Sequence, residues 1–190
     1  MKYKPYIIFT GLITVALLII FIISAGYYPI LSVNGQLVSA KTFWKNYQAG
    51  AAYYQSVKRA FSEDFSEEEI TASDLKRSIL TQLIENKLIE GKVREEVGTE
   101  MSSLVQEKIT KLTSDPKIKQ AAQAIYNLNL KDFEKEILLP MANQEILVGR
   151  LFLKGEKIDS WLEETKKSSQ IRVFSSQFYW DGKEIKVKGK

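Results

Sequence analysis

The side chains that could perform covalent chemistry in this chain are few. Its 190 residues include no cysteine and no histidine. Disulfides, thiolate nucleophiles and Cys/His zinc sites are therefore excluded, as are catalytic triads and acid–base steps that use imidazole. The sequence also contains no Gly-rich phosphate-binding loop and no nucleophile-elbow motif. The carboxylates are the remaining candidates for acid–base catalysis.

The carboxylates do not form a convincing catalytic pair. They cluster in a predicted loop at Glu67–Glu69, at a predicted helix end at Glu95–Glu96, and on a solvent-facing helix side at Glu163–Glu164. Two carboxylates act as acid and base only when burial separates their pKa values, and none of these positions is predicted to be buried. We therefore expect no enzyme, no cofactor and no metal site. A hydrolase that uses Asp or Glu, and metal binding by the acidic segment 62–72, are the alternatives.

Aromatic and Met side chains are better candidates for a function, which would be non-covalent binding. Trp44 and Tyr53 lie off the main apolar stripe of their predicted helix, and exposed aromatic side chains suit loose contacts with unfolded chains. Flexible Met and large aromatic side chains also repack around varied partners. The alternative is that most of these residues fill the core. The candidate peptide-binding residues are Trp44, Tyr47, Tyr53, Tyr54, Tyr126, Phe133 and Met141.

Helices must position most of these side chains. Apolar residues recur at steps of three and four over residues 39–61, and over a wider stripe at residues 74–97, where Ser73 is the predicted N-cap. Gly50 is expected to bend or fray the first of these helices. Pro140 is expected to kink a later helix, since proline removes a backbone donor and clashes with the preceding turn. The later predicted helices span residues 100–112, 116–126, 131–152 and 158–168.

Short strands are predicted at both ends of the chain that follows the N-terminal segment. Residues 31–38 form a strand–turn–strand unit around Asn34-Gly35, a pair suited to positive φ. Residues 171–174 alternate like a strand, and a C-terminal hairpin within residues 171–188 is predicted around a two-residue Asp181-Gly182 turn. The predicted fold class is mainly α with a small antiparallel β-sheet, preceded by an N-terminal transmembrane helix.

The N-terminal segment predicts a membrane anchor. Tyr6–Ile23 is free of charge, and Tyr6–Tyr28 supplies the roughly 20 apolar residues that cross a bilayer core. Lys2 and Lys4 precede it, which predicts a cytoplasmic N-terminus because positive charge favours that side. We therefore expect a single-pass protein of the cell membrane, with its body, residues 29–190, outside the cytoplasm.

A cleaved signal peptide is the alternative interpretation of this segment. Ser24-Ala25-Gly26 resembles a small-x-small cleavage site, although the apolar run exceeds the usual 7–15 residues of a signal peptide. The anchor interpretation divides the chain into a cytoplasmic tail (1–5), a transmembrane segment (6–28) and the body (29–190). Both interpretations place the body outside.

The charge balance of the body argues against nucleic acid as a partner. The whole chain has 27 basic and 23 acidic residues, and removing Lys2 and Lys4 leaves 25 basic residues against the same 23. Binding to nucleic acid requires clustered Lys and Arg that neutralise phosphates. A body so close to neutral is not typical of that class.

Four motifs in order resemble one protein family. They are VNGQLVSAKTF (Val33–Phe43), SILTQLIENKLIE (Ser78–Glu90), LNLKDFEKEI (Leu128–Ile137) and WLEETKKSSQI (Trp161–Ile171). Together they are similar to the N-terminal domain of SurA/PrsA/PpiD-type chaperones, over about Leu31 to Phe174. In that family the N-terminal strand pairs with C-terminal strands, so the resemblance implies that Leu31–Val33 lies against Ile171–Phe174.

The same resemblance implies a binding function without isomerase activity. Family members often carry a parvulin-type peptidyl-prolyl isomerase domain of about one hundred residues between the long helices and the Trp-containing helix. Only Leu153–Lys157 occupies that place here, and the parvulin active site uses histidines, which this chain lacks. The resemblance therefore implies a membrane-anchored extracytoplasmic chaperone that binds unfolded or exported polypeptides. A structural or adaptor subunit of a cell-envelope complex, binding one specific partner, is the alternative, and we also consider a homodimer.

Overall fold

The computed structural model describes residues 4–60, 70–98 and 100–189. The acidic cluster Glu67–Glu69, considered above for catalysis and for metal binding, lies outside these residues. The described helices are α1 (Lys4–Ser24), α2 (Ala40–Ala60), α3 (Ala72–Val97), α4 (Glu100–Thr113), α5 (Pro116–Tyr126), α6 (Leu130–Phe133), a π-helical turn (Glu134–Leu138), α7 (Leu139–Leu153) and α8 (Ile158–Ser168). The described strands are β1 (Pro29–Val33), β2 (Gln36–Ser39), β3 (Ile171–Val173), β4 (Phe178–Trp180) and β5 (Ile185–Val187).

Side-chain caps determine where the two long helices begin. The Ser39 hydroxyl accepts a hydrogen bond from the Thr42 backbone N–H at the start of α2. At the start of α3 the cap is Thr71, whose hydroxyl accepts from the Asp74 backbone N–H. The prediction of Ser73 as N-cap was wrong. Thr71 is extended and can turn its hydroxyl back to the first helical turn, whereas Ser73 already lies within the helix.

The strands from the two ends of the body meet in one antiparallel sheet of order β2-β1-β3. Asn34 and Gly35 form the turn between β1 and β2, both with positive φ. Leu31 pairs with Val173 and Val33 with Ile171, which confirms the strand pairing implied by the resemblance. The mainly helical fold class with small antiparallel sheets is likewise confirmed.

Strands β4 and β5 form a separate antiparallel hairpin. Its connection is four residues long, since Trp180 pairs with Ile185, so the predicted two-residue turn was wrong. The Asp181 carboxylate accepts hydrogen bonds from the backbone N–H groups of Lys183 and Glu184. An Asx-type turn of this kind supplies a hydrogen-bond acceptor for backbone N–H groups of the longer loop.

Helix α1 carries its apolar side chains on all sides. Phe9, Leu17 and Phe21 are all exposed, and α1 forms no extensive packing with any other described element. In the part of the chain that the structure describes, no helix is both long and apolar enough to cross a membrane. The transmembrane anchor predicted for residues 6–28 is therefore not supported by the structure, and the helix itself ends at Ser24 rather than at Tyr28.

Helix α3 is the centre of the body. Its first half packs with the sheet, with Phe43 of α2 and with the β4–β5 hairpin, and its second half packs with Leu147 and Leu151 of α7. A further buried cluster joins α2, α4, α5 and α7. Helix α2 continues through Gly50 to Ala60, so the predicted fraying at Gly50 was wrong. A Cβ atom at Gly50 would lie 3.2 Å from the Ile79 Cδ1 atom of α3, so this glycine permits a close helix crossing.

Candidate functional site

A cavity of about 320 Å³ opens between β2, α2, α3 and the junction of the π-helical turn with α7. Its lining is mixed, with apolar side chains from the sheet edge and α7 and carboxamide or charged side chains from the three helices. The lining residues are Leu37, Val38, Thr42, Asn46, Leu83, Asn86, Lys87, Glu90, Lys135, Glu136, Leu139, Pro140 and Asn143.

The π-helical turn brings Glu136 into this lining. Pro140 has no N–H to donate, and its ring would clash with the carbonyl four residues earlier, which is that of Glu136. The chain responds by widening, and the Leu139 N–H donates to the Glu134 carbonyl five residues back. The predicted kink thus takes the form of a π-bulge, a feature frequently found at functional sites. Glu136 is buried at this turn.

Asn46 is the hydrogen-bond donor to this buried carboxylate. Its Nδ2 donates to Glu136 Oε2 at 2.8 Å and to the Thr42 carbonyl at 2.9 Å. Lys135 Nζ lies 3.8 Å from Glu136 Oε1, but its side chain is largely exposed. A buried carboxylate is tolerated only when hydrogen bonds or opposite charge compensate its lost hydration. Asn46 therefore holds α2 against the π-helical turn through a polar contact.

Two other asparagines face the cavity with unused hydrogen-bonding capacity. Asn143 of α7 is only 4% exposed, and its Oδ1 has no hydrogen-bond donor among the residues that the structure describes. Asn86 of α3 is half-buried, and its side chain has no hydrogen bond to any described residue either. Buried polar atoms are nearly always paired in folded proteins, so an orphan acceptor beside a cavity requires an explanation.

The charged groups of the lining are neutralised locally. Lys87 Nζ contacts Glu90 Oε2 at 2.6 Å, and Arg94 contacts the other oxygen of Glu90 at 2.7 Å. On the neighbouring surface, Lys45 of α2 donates to Asp132 of α6 at 2.6 Å. This hydrogen bond holds the pKa of the Asp132 carboxyl below its usual range. The cavity therefore offers hydrogen bonds and apolar contacts rather than a strong charge of one sign.

The predicted aromatic residues form two ring clusters near α2. In the first, the rings of Phe43, Trp44 and Tyr47 lie within 6.4 Å of one another, and Lys76 Nζ lies 5.7 Å from the Trp44 ring. Trp44 is 43% exposed, whereas Tyr47 is half-buried. Trp44 is therefore partly exposed, with the Lys76 ammonium over its ring.

The second ring cluster joins α2 to α5 and α6. Tyr53 stacks on Tyr126 at 5.4 Å, and Tyr126 contacts Phe133 at 5.3 Å. Tyr53 is exposed, but Phe133 is buried within the cluster that joins α2, α4, α5 and α7. Burial raises the pKa of the Tyr126 hydroxyl, which is consistent with a ring enclosed by its neighbours. Phe133 therefore packs as a core residue, and it offers no surface to a ligand.

The last two predicted residues stand apart from these clusters. Met141 on α7 is 59% exposed, and Tyr54 is half-buried on α2. None of the seven predicted residues lines the cavity. Nothing in the structure tests whether they bind peptide, and the exposed three, Trp44, Tyr53 and Met141, remain predictions.

Sequence reasoning missed the carboxamides and Glu136. A signal for them exists, because polar residues at core-facing helix positions are unusual. Asn46 follows Phe43 by one helical turn, Glu136 lies one turn after Phe133, and Asn143 follows Ala142 on the buried side of α7. A polar residue on an apolar stripe points to a buried hydrogen-bonding role.

The arrangement fits binding better than covalent chemistry. Glu136 is hydrogen-bonded to the Asn46 amide, and the other carboxylate of the lining, Glu90, is paired with Lys87 and Arg94, so both already have partners within the protein. Within the described ranges, no group of three acidic residues could hold a metal ion. The unused hydrogen-bonding atoms are carboxamides, which recognise other amides.

Comparison with known proteins gives one positive result. No curated protein and no solved structure matches the chain. A family model described as SurA-like N-terminal domain matches residues 1–146, which is well over half of the sequence. The match includes three of the four motifs identified above and confirms the resemblance. The chain belongs to the SurA-like N-terminal domain family, a chaperone-type family.

Proposed function

We propose that this protein is an extracytoplasmic, membrane-attached chaperone that binds unfolded or exported polypeptides and has no isomerase activity. The observation that carries the proposal is the open, amide-lined cavity beside exposed apolar side chains in a domain of the chaperone type. Leu37 and Leu139 line the cavity and are exposed, and Trp44 and Met141 are exposed elsewhere on the body. Exposed apolar side chains of this kind mark interaction surfaces.

The short connection between α7 and α8 supports the proposed lack of isomerase activity. Helix α7 ends at Leu153 and α8 begins at Ile158, so four residues join them. An inserted catalytic domain of about one hundred residues has no place in so short a link. A proline-isomerisation assay on a Pro-containing tetrapeptide should therefore give the uncatalysed rate.

The exposed apolar surface of α1 supports attachment to a membrane. Apolar surface as extensive as that of α1 is rarely left in water, and the described body provides no groove that covers it. A helix of this composition favours lipid, and Tyr27 and Tyr28 lie just after its end. We propose that this segment attaches the chain to the cell membrane and that the body lies outside the cytoplasm.

Suppression of aggregation tests the chaperone function directly. The 190-residue chain in lipid nanodiscs, at several-fold molar excess, should reduce the light scattering of a chemically denatured protein diluted into buffer. Empty nanodiscs serve as the control. Scattering equal to that control would contradict the proposal, whereas capture of a single folded partner by crosslinking in cells would favour the adaptor alternative.

Two fractionation experiments test the location. Carbonate washing of membranes should leave the chain in the pellet, and protease added outside spheroplasts should digest the body. Release of the chain by carbonate, or protection of its body from the protease, would contradict the proposed location. Neither result would bear on the proposed chaperone function. The mass of the isolated chain distinguishes an intact N-terminus from cleavage after Gly26.

A further inference from the structure

We propose that the cavity between β2, α2, α3 and α7 holds the main chain of an extended polypeptide, bound through the carboxamides of Asn86 and Asn143. This inference rests on the proposed chaperone function and assigns the subsite at which the client backbone is recognised. It concerns the backbone of the client, whereas the aromatic residues considered above would contact its side chains.

The unpaired acceptor of Asn143 is the first argument. A buried carbonyl oxygen without a donor destabilises a folded protein, because it has lost its hydrogen bonds to water and gained none in return. The Asn143 side chain is almost fully enclosed and lines the cavity. An incoming N–H group would satisfy its Oδ1, so a bound ligand explains why an asparagine occupies this position on the buried side of α7.

Asn86 can supply a further hydrogen-bond donor and acceptor for a bound peptide group. Each peptide group carries one donor and one acceptor, and one carboxamide offers both. Asn86 lies on α3, a different helix of the lining from the one that carries Asn143, and its side chain has no hydrogen bond to any described residue. The Asn143 acceptor and the Asn86 carboxamide can therefore bind peptide groups without regard to the client's side chains.

Charge and shape favour a neutral, extended ligand. Lys87 is paired with Glu90, and Lys135 Nζ lies 3.8 Å from Glu136 Oε1, so the lining holds two charges of each sign and no excess charge that would select an ion. A volume of about 320 Å³ is at the lower end of the range of about 300–1,000 Å³ for ligand sites, which suits a short stretch of chain.

The sheet edge supplies a second reason to expect an extended segment. Strand β2 is the outer strand of the β2-β1-β3 sheet, and its residues Leu37 and Val38 line the cavity. An outer strand presents unpaired backbone groups that favour another extended chain beside it. A client segment in the cavity would thus lie along β2, with Leu139 and Pro140 available for its apolar side chains.

The test uses a pair of peptides that differ only in backbone donors. A fluorescein-labelled decapeptide of Ala, Val, Thr and Ser is compared with the same peptide N-methylated at alternate residues, and binding to the full chain in nanodiscs is measured by anisotropy. Loss of one or two hydrogen bonds corresponds to about 5- to 20-fold in affinity, so the methylated peptide should bind more weakly by that factor.

The variants Asn143→Leu and Asn86→Ala show whether the cavity causes that difference. Each should weaken binding of the unmethylated peptide about 5- to 10-fold and reduce the difference between the two peptides. Gln144→Ala, an exposed neighbour on the same helix, should change neither value. Leucine has nearly the shape of asparagine, and Asn86 is only half-buried, so circular dichroism is used to confirm that both variants are folded.

The outcomes separate this inference from the proposed function. Two results would overturn the cavity as the backbone subsite and leave the chaperone proposal intact, provided that the chain still suppresses aggregation. One is equal binding of both peptides by the unmodified chain. The other is a difference between the peptides that both variants leave undiminished. Failure of the unmodified chain to bind either peptide or to suppress aggregation would overturn both.

Discussion

The hydrogen bond between Asn46 and Glu136 joins residues that are 90 positions apart in the sequence. Both side chains are buried, which means that each depends on the other for its hydrogen bonding. Removing one partner of a buried polar pair costs more than the pair itself contributes, since the remaining group stays desolvated. This contact is therefore a sensitive point for stability and for the shape of the cavity.

At the residue scale, we predict that Asn46→Asp destabilises the protein and that a second change restores it. The substitution places a carboxylate where an amide now donates to Glu136, which should lower the free energy of unfolding by about 2–4 kcal/mol. Adding Glu136→Gln supplies an amide donor on the other side and should recover most of the loss. Urea unfolding followed by tryptophan fluorescence measures each variant.

The double variant provides the control for this prediction. If Asn46→Asp and Glu136→Gln destabilise additively, the two side chains are not coupled and the hydrogen bond contributes little. A coupling free energy of about 1–3 kcal/mol is the expected result for residues in direct contact.

At the scale of the elements, the crossing of α2 and α3 depends on Gly50. A Cβ atom at this position would lie 3.2 Å from Ile79 Cδ1 and 3.5 Å from Leu75 Cδ1, so the Ile79 side chain would have to shift to admit even a methyl group. This crossing holds the α2 wall of the cavity, with Asn46 one turn before Gly50, against the α3 wall.

We therefore predict opposite effects for two glycine substitutions within helices. Gly50→Leu should lower the free energy of unfolding by about 1–3 kcal/mol, because overpacking forces the helices apart. Gly149→Ala, on α7 with nothing within 4 Å of the added Cβ, should raise it by about 0.5–1 kcal/mol through better helix propensity. Thermal unfolding by circular dichroism measures both. A stabilising Gly50→Leu would show that the crossing is not tightly packed.

At the scale of the whole molecule, strand β3 ties the C-terminal part of the chain to its N-terminal hairpin. Arg172 lies opposite Ser32 in the β1–β3 ladder, and the flanking hydrogen bonds run from the Asn34 N–H to the Gln170 carbonyl and from the Phe174 N–H to the Ile30 carbonyl. Helix α8, just before β3, is tied to α3 by the ion pair between Lys166 and Glu85.

Proline at position 172 should weaken the pairing of β3 with β1. Arg172→Pro removes a ladder donor facing β1 and should lower the free energy of unfolding by about 1–3 kcal/mol. Arg172→Val keeps the N–H and should have little effect, because the side chain is exposed. Trp161 and Trp180 pack against the core beside the sheet, so their fluorescence reports the change. Equal stability of the two variants would show that β3 is held to β1 by side-chain contacts and not by this backbone hydrogen bond.

The secondary structure was largely predictable because its signals are local. The apolar stripe of α3 and the Asp115-Pro116 start of α5 depend on neighbours within a few residues, and so does the Asn34-Gly35 turn. The N-cap of α3 was predicted wrongly because Ser73 and Thr71 carry the same local signal. The role of Gly50 was missed because it depends on a contact with α3, which is distant in the sequence. The β1–β3 pairing came from the family resemblance, since three-residue strands carry too little pattern to select a partner.

The sequence by itself determined the mainly helical class, the exclusion of Cys and His chemistry, and the family. Only the tertiary structure decided which side chains form the cavity. Asn46, Asn86, Asn143 and Glu136 come from separate helical segments, and no local periodicity links them. Whether an aromatic ring faces solvent, as Trp44 does, or the core, as Phe133 does, depends on which helix packs beside it. Burial is a property of the assembled helices, so it becomes defined only when they meet.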